Sequence, residues 1–157
     1  MAVKVGVLAD THGLLRPGVL EALAGSDLLV HAGDAGKPEI LESLRSIAPV
    51  YAVRGNVDRG SWVGALPETQ VIAVEQVHLF VLHDLNELEI DPAAAGFQAV
   101  ISGHTHQPLI EERAGVLFLN PGSAGPRRFH RPVSLARLYV RGMALRAEIV
   151  ILDSGTT

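Results

Sequence analysis

The sequence predicts an α/β chain of the α+β kind, two packed mixed β-sheets flanked by helices, and three observations carry that expectation. Residues 3–56 alternate apolar, strand-like runs with amphipathic, helix-like ones, an order that calls for parallel strands covered by helices. After residue 69 the helical pattern gives way to short apolar runs joined by brief turns, as antiparallel neighbours require. Apolar residues make up 48% of the 157 and aromatics only 4%, so Leu, Val, Ile and Ala must fill the core of one expected domain, 1–157.

Each element has a local reason. VKVGVLAD (3–10) is a short buried strand ending in a turn, and RPGVLEALAG (16–25) a helix with Pro17 in its first turn and Gly25 as its stop. DLLVHAGD (27–34) is a second strand. KPEILESLRSI (37–47) is a second helix with Ile40, Leu44 and Ile47 on one stripe, and VYAVRGN (50–56) a third strand. TQVIAVEQ (69–76) and HLFVLHD (78–84) stand close enough to pair antiparallel. DPAAAGF (91–97) reads as a short helix with Asp91 as cap and Pro92 at its first position. QAVISG (98–103) is another strand, and PLIEERAGVLFLN (108–120) a hairpin turning at Ala114–Gly115. SLARLYVRGMALRAEIVIL (134–152) is a last hairpin turning near Gly142, its second strand alternating Leu145, Ala147, Ile149 and Ile151 against Arg146 and Glu148.

Composition excludes several classes. No apolar run approaches the ~18 residues of a membrane span, so no membrane partner is expected. The start, MAVKVGVLAD, lacks the features of a secretory signal, which makes the cytoplasm the expected compartment. Without cysteine there are no disulfides and no thiolate metal sites. A net charge of −4 argues against coating nucleic acid, which could then enter only as substrate. Self-association is left open.

The informative feature is where the polar residues fall. A strand arriving from Ala99 would carry His104 and His106 on the same side, because side chains alternate with a period of two. Matching groups stand at the other predicted strand ends: Asp10 and His12, then Asp34, Asn56 and His83. Sites in open α/β sheets form outside the carboxyl ends of the strands, so these seven groups are expected to converge. Seven are more than one tetrahedral zinc takes, and suit two metals sharing a carboxylate. Mixed nitrogen and oxygen donors favour Mn²⁺, Zn²⁺, Fe²⁺, Ni²⁺ or Co²⁺ over Ca²⁺ or Mg²⁺. Gly33, Gly55 and Gly103 each precede a candidate ligand at a sharp exit, where positive φ or close backbone approach is easiest without a Cβ.

The ordered set is D-x-H at 10–12, GD at 33–34, GN-x-D at 55–58, His83 and GHTH at 103–106, with NPGS at 120–123. From Val3 to about Ser123 it resembles the calcineurin-like metallophosphoesterase superfamily, and within it the small bacterial and archaeal phosphodiesterases. The resemblance implies a β-sandwich flanked by helices, in agreement with the strand order above. It implies two divalent ions, Mn²⁺ first among them. Asp10, His12 and His106 would hold one ion, Asn56, His83 and His104 the other, and Asp34 would bridge; Asp34, Asn56 and His104 would be catalytic. Two such ions ~3.5–4 Å apart lower the pKa of bound water from ~15.7 toward ~7, giving a hydroxide for in-line attack on phosphorus. The implied substrate is a small phosphodiester or phosphate ester.

Two positions depart from the family pattern. Relatives usually follow the ligand at 83 with glycine and often another histidine, where this chain reads HDLN (83–86). Many also carry a proton-donating histidine after the asparagine, where this chain has Val57. Among the neighbours, His31 and Asp58 either orient ligands or serve as a core residue and a turn cap. Arg54, Arg127 and Arg128 are candidates for substrate phosphate, with a solvated loop or subunit contact as the alternative for the PRRFHRP segment; Arg59 and His78 are expected to be solvated. One other class shares the fold by the same resemblance: the scaffold subunit of eukaryotic retromer, chiefly a binding protein. A scaffold has no need to keep every ligand, and all seven positions here hold competent residues, which favours an enzyme.

Overall fold

The computed structural model describes residues 2–128 and 130–153, so both ends of the expected 1–157 domain, residue 1 and residues 154–157, lie outside the described residues. Three parallel strands form first: β1 (Val3–Leu8), β2 (Leu28–His31) and β3 (Val50–Ala52), joined through α1 (Pro17–Leu23) and α2 (Pro38–Arg45). Both helices begin on proline, whose fixed φ suits a first turn and whose missing N–H is not needed there. Gly25, at φ +82°, turns the chain after α1.

The second half supplies β4 (Thr69–Val74), β5 (Val77–Leu82), β6 (Ala99–Ile101), β7 (Leu109–Arg113), β8 (Val116–Asn120), β9 (Val133–Arg141) and β10 (Ala144–Asp153). The strands make two five-stranded sheets, ordered β10-β9-β1-β2-β3 and β4-β5-β6-β8-β7. Each is mixed. In the first, β1–β2 and β2–β3 are parallel while β9 returns antiparallel to β1. In the second, β5–β6 and β6–β8 are parallel and the two edges antiparallel.

Between the sheets lies a core of small aliphatic side chains: Val5, Val7, Val30 and Leu138 from one face, Leu79, Val81, Ile101 and Leu119 from the other. Every one of these is at most 1% exposed, and full burial of such a side chain contributes about 1.5–3 kcal/mol. Both helices pack on the outer face of the first sheet, where Val19, Leu23, Ile40 and Leu44 meet Leu8, Leu29 and Leu135. The helical cover is therefore one-sided. Phe80, Leu85 and Leu88 gather instead around Val100 and Phe118 on the second sheet. No helix of the described residues is long and apolar enough to cross a membrane.

Two local expectations need correction. Residues 91–97 do not form a helix but a series of turns. Asp91 does cap, its carboxylate accepting from Ala93 and Ala94 N–H at 3.2 and 3.3 Å, but Gly96 at φ +87° ends the coil within about one turn. In β10, Leu145, Ala147 and Ile149 do face the core, yet Ile151 is 50% exposed. Near Ile151 the pairing with β9 shifts register, and Val150 and Leu152 of the opposite parity pack under the helices instead.

Candidate metal centre

β1, β2 and β3 of one sheet and β5 and β6 of the other deliver their following loops to one edge of the molecule. Those loops carry Asp10, His12, Asp34, Asn56, His83, His104 and His106. They are laced to one another: Asp10 N–H donates to Gly33 O at 3.0 Å, His12 N–H to Asp34 O at 3.0 Å, and Gly103 N–H to His83 O at 2.9 Å. His104 N–H crosses between sheets to Asp10 Oδ2 at 3.0 Å.

The backbone of this edge is strained. Asp10, His12, Asp34, His104 and His106 all have left-handed φ values, 56°, 47°, 60°, 73° and 63°. Among the described residues only Glu75 and Ala114 share that property without being glycine. A left-handed residue with a Cβ costs about 1 kcal/mol or more, and such residues cluster at functional sites because the surrounding structure holds them there.

The imidazoles form two pairs. His12 and His106 have ring centroids 5.3 Å apart, and His83 and His104 5.2 Å apart. Asp34 Oδ2 lies between the pairs, 3.8 Å from His12 Nε2 and 3.1 Å from His83 Nε2. Asn56 Oδ1 sits 3.0 Å from His83 Nε2 and 3.2 Å from His104 Nδ1. The two ring pairs thus stand on either side of Asp34. Asp10 Oδ1 also faces both halves, at 3.7 Å from His12, 3.6 Å from His106 and 3.8 Å from His83. Two clusters could thus each hold an ion, Asp10–His12–His106 and Asp10–Asp34–His83.

The electrostatics favour positive charge in the gap. Burial alone would lower the His83 pKa, but the Asp34 carboxylate, the Ala32 carbonyl and the Asp10 charge prevail and raise it to about 8. Its Nδ1–H is committed to Ala32 O at 2.7 Å, so Nε2 faces the oxygens of Asp34, Asn56 and Asp10 with either a proton or a cation between. Asp34 is lowered despite its burial, by His83 and by the Val57 N–H that donates to Oδ1 at 2.9 Å. His106 is lowered, first by burial and then by Arg128, His12 and Arg131 against the pull of Asp10, which favours the neutral form that ligates. Asp10 Oδ1, His12 Nε2 and His106 Nδ1 are buried without a hydrogen-bond partner. Orphaned atoms of this kind are costly, and mixed N and O donors around a shared carboxylate are what a pair of divalent transition ions would satisfy.

Around these groups stands a supporting layer. His31 is fully buried. It accepts from Gly33 N–H at Nδ1 (3.2 Å), which leaves the ring proton on Nε2 for Thr11 Oγ1 (3.0 Å); that hydroxyl donates to Ala35 O (3.0 Å). His31 is a satisfied core residue, and its bonds tie the loop of Asp10 and His12 to that of Asp34. Burial lowers its pKa to about 4. Asp58 does not reach Asn56. Its carboxylate accepts from Asp34 N–H (3.0 Å), Gly55 N–H (2.8 Å) and Gly36 N–H (3.0 Å), so it positions Asp34 through the backbone. The glycine rationale divides. Gly33 has φ +102°, whereas Gly55 is required by contact, since a Cβ there would lie 2.0 Å from Asp34 Oδ1.

The peripheral candidates scatter. Arg54 is paired with Glu68 at 3.1 Å on the wall of a cavity beside the centre. Arg127 is half-buried and Arg128 exposed; Arg128 acts on His106 through its charge. Arg59, His78 and His130 are exposed, as is the Val57 side chain at 41%. Sequence reasoning missed Thr11, and quoted Asn120 and Ser123 only as part of NPGS, without a role. Asn120 donates to Gly103 O and Thr105 Oγ1, and Ser123 Oγ donates to Asp10 O at 3.1 Å, so the NPGS segment braces two ligand loops. Asp84, in the HDLN segment that departs from the family pattern, stands with its Oδ2 3.8 Å from His104 Nε2.

Known proteins share this arrangement of chain. A protein of Methanothermobacter thermautotrophicus described as a probable metallophosphoesterase is 34% identical, over 93% of this chain and 91% of its own. The phosphodiesterase YfcE of Escherichia coli K12 is 30% identical over 87% of each. Among solved structures, Vps29 of Entamoeba histolytica complexed with zinc superposes with TM-score 0.74 at 25% identity, covering 96% of this chain and 99% of that one. Vps29 of Cryptosporidium parvum, at 20% identity and TM-score 0.78 over 97% and 98%, shares the fold. The signature described as Calcineurin-like phosphoesterase superfamily domain matches residues 3–143. The chain belongs to the calcineurin-like phosphoesterase superfamily.

Proposed function

We propose that this protein is a metal-dependent phosphodiesterase that uses a dinuclear centre. One observation carries the reading: four imidazoles in two pairs flank shared, buried carboxylates whose neighbouring donor atoms lack partners. Asp10, His12 and His106 would hold one ion and Asn56, His83 and His104 the other, with Asp34 shared between them. Mn²⁺ is the first candidate, with Zn²⁺, Fe²⁺, Ni²⁺ and Co²⁺ as competitors for the same donors. Bound there, two divalent ions acidify water and neutralise phosphoryl oxygens.

This chain's own groups do the positioning. Val57 N–H and the carboxylate of Asp58 hold Asp34 from two directions. Asp10 fastens the His104 backbone, and Ala32 O fixes the ring of His83. Asn56 and His104 border the cavity, where they can meet the phosphoryl group. The test is direct. Protein stripped by chelator and restored with each metal in turn is assayed on matched phosphomonoesters and phosphodiesters. The reading expects hydrolysis that vanishes on stripping and returns with Mn²⁺ or a competitor, with diesters preferred. A metal-replete protein that hydrolyses neither class would favour a scaffold on the same fold.

A further inference from the structure

One side of the candidate centre opens on a cavity of about 600 Å³ whose wall includes Asn56, His83 and His104. That is a normal size for a small-ligand site. The other charged groups of the wall are Arg54 against Glu68, Asp84, Glu87 and Glu89. Arg54 is already engaged with Glu68, so among the described residues three carboxylates line the space with no further Lys or Arg in the wall. Asp84, 3.8 Å from His104, places one of them where the cavity meets the centre. Behind that wall, Asp10 Oδ1 is buried without a partner, 3.8 Å from Nε2 of the lining residue His83.

The opposite flank has the reverse sign. Arg131 donates to the carbonyl of Thr105, between His104 and His106, and Arg128 stands near enough to act on His106. Charge is thus segregated across the centre. Among the described residues, the rings that line the cavity are the imidazoles of His83 and His104.

Given the phosphodiesterase reading, we infer that this cavity takes one organic arm of the diester and selects an arm bearing a positive charge, an ammonium group. An arm carrying further phosphates, as in a nucleic-acid strand, is repelled from it.

Two isosteric substrates test this. Both are p-nitrophenyl phosphodiesters, one with a 2-(trimethylammonio)ethyl arm and one with a 3,3-dimethylbutyl arm, so that they differ by one charge. Water adds to phosphorus, the bond to the nitrophenyl oxygen breaks, nitrophenolate leaves, and the arm stays on the phosphate. At low ionic strength the ratio of kcat/KM values, cationic over neutral, is expected to be about tenfold, equivalent to ~1.4 kcal/mol. It should fall toward one with added salt and in the Glu87→Gln/Glu89→Gln double variant, and stay unchanged in Glu42→Gln, which lies on α2 outside the cavity. A ratio near one in the unaltered protein, or one the double variant does not move, overturns the inference. Calorimetric titration of the metal-loaded protein with the two matching phosphomonoesters gives a second readout free of turnover. If neither diester is cleaved, the phosphodiesterase reading fails, and the titration still decides whether the cavity prefers the cation.

Discussion

Asp58 is the residue through which the account is most exposed to test without touching a ligand. It is 6% exposed and accepts three backbone N–H groups, from Asp34, Gly36 and Gly55. Asp58→Asn keeps the shape but leaves one oxygen, which can serve at most the pair from Asp34 and Gly55 that now share Oδ2. The Gly36 N–H would then face an amide NH₂, and an unsatisfied buried donor costs about 1–3 kcal/mol. Bonds to an ionised acceptor are roughly twice as strong as neutral ones, so the surviving pair weakens by about 1 kcal/mol together. The sum is about 3 kcal/mol, a large share of the ~5–15 kcal/mol that holds a domain folded. Because Asp34 hangs on this anchor, metal affinity should fall about 10–100-fold, as when an outer partner of a ligand is lost. Urea unfolding of chelated protein reads the first quantity and competitive metal titration the second. A loss under about 0.5 kcal/mol with unchanged affinity would refute the reasoning.

Two further outcomes follow from the same geometry. His31 has its folded pKa lowered to about 4 from 6.5, so the unfolded chain binds that proton first. Its contribution is complete above the unfolded value and is lost as pH falls from 6.5 toward 4, about 3 kcal/mol at ~1.36 kcal/mol per pH unit. Urea midpoints of chelated protein across that range should flatten by close to one proton in His31→Gln, and parallel curves would contradict this. At Val57 the backbone holds Asp34 while the side chain is 41% exposed, and His31, with both ring nitrogens engaged, cannot serve as the missing acid. Rate should therefore depend steeply on leaving-group pKa, and Val57→His should raise alkyl-diester turnover toward the ~10²-fold a general acid supplies, with aryl diesters little changed. A flat plot for the unaltered protein, with chemistry limiting, would show that another acid is in place.

Much of the site could be read before the structure because its signals are local and repeated. Each candidate ligand follows a strand that hydrophobic patterning marks, and Gly33, Gly55 and Gly103 flag the turns. Convergence then follows from topology alone, since parallel strands must end at one edge. What could not be read depends on partners far along the chain. Asp58 bonds residues 22 and 24 positions away, and Ser123 reaches Asp10 across 113, so the motifs GN-x-D and NPGS mark the two positions without showing which loops they brace. The segment 91–97 carried a true capping signal, yet Gly96 stopped propagation before a helix could form. In β10 the alternation was legible, but the shift of pairing near Ile151 is a property of two strands together. The charge of the cavity was hidden for a similar reason: Glu68 comes from the loop before β4 and Glu87 and Glu89 from beyond β5, and only the paired sheet brings them face to face.

The central claim is that Asp34 is shared by two ions. Its most direct test is metal stoichiometry by elemental analysis, after loading and exhaustive buffer exchange, of the unaltered protein, Asp34→Asn and His106→Ala. Asp34 Oδ2 stands between His12 and His83, and an anion in that place offsets the repulsion of two dications at short range. The account predicts two ions per chain in the unaltered protein, loss from both positions in Asp34→Asn, and loss of chiefly one in His106→Ala. Two tightly held ions in Asp34→Asn, with turnover intact, would contradict it.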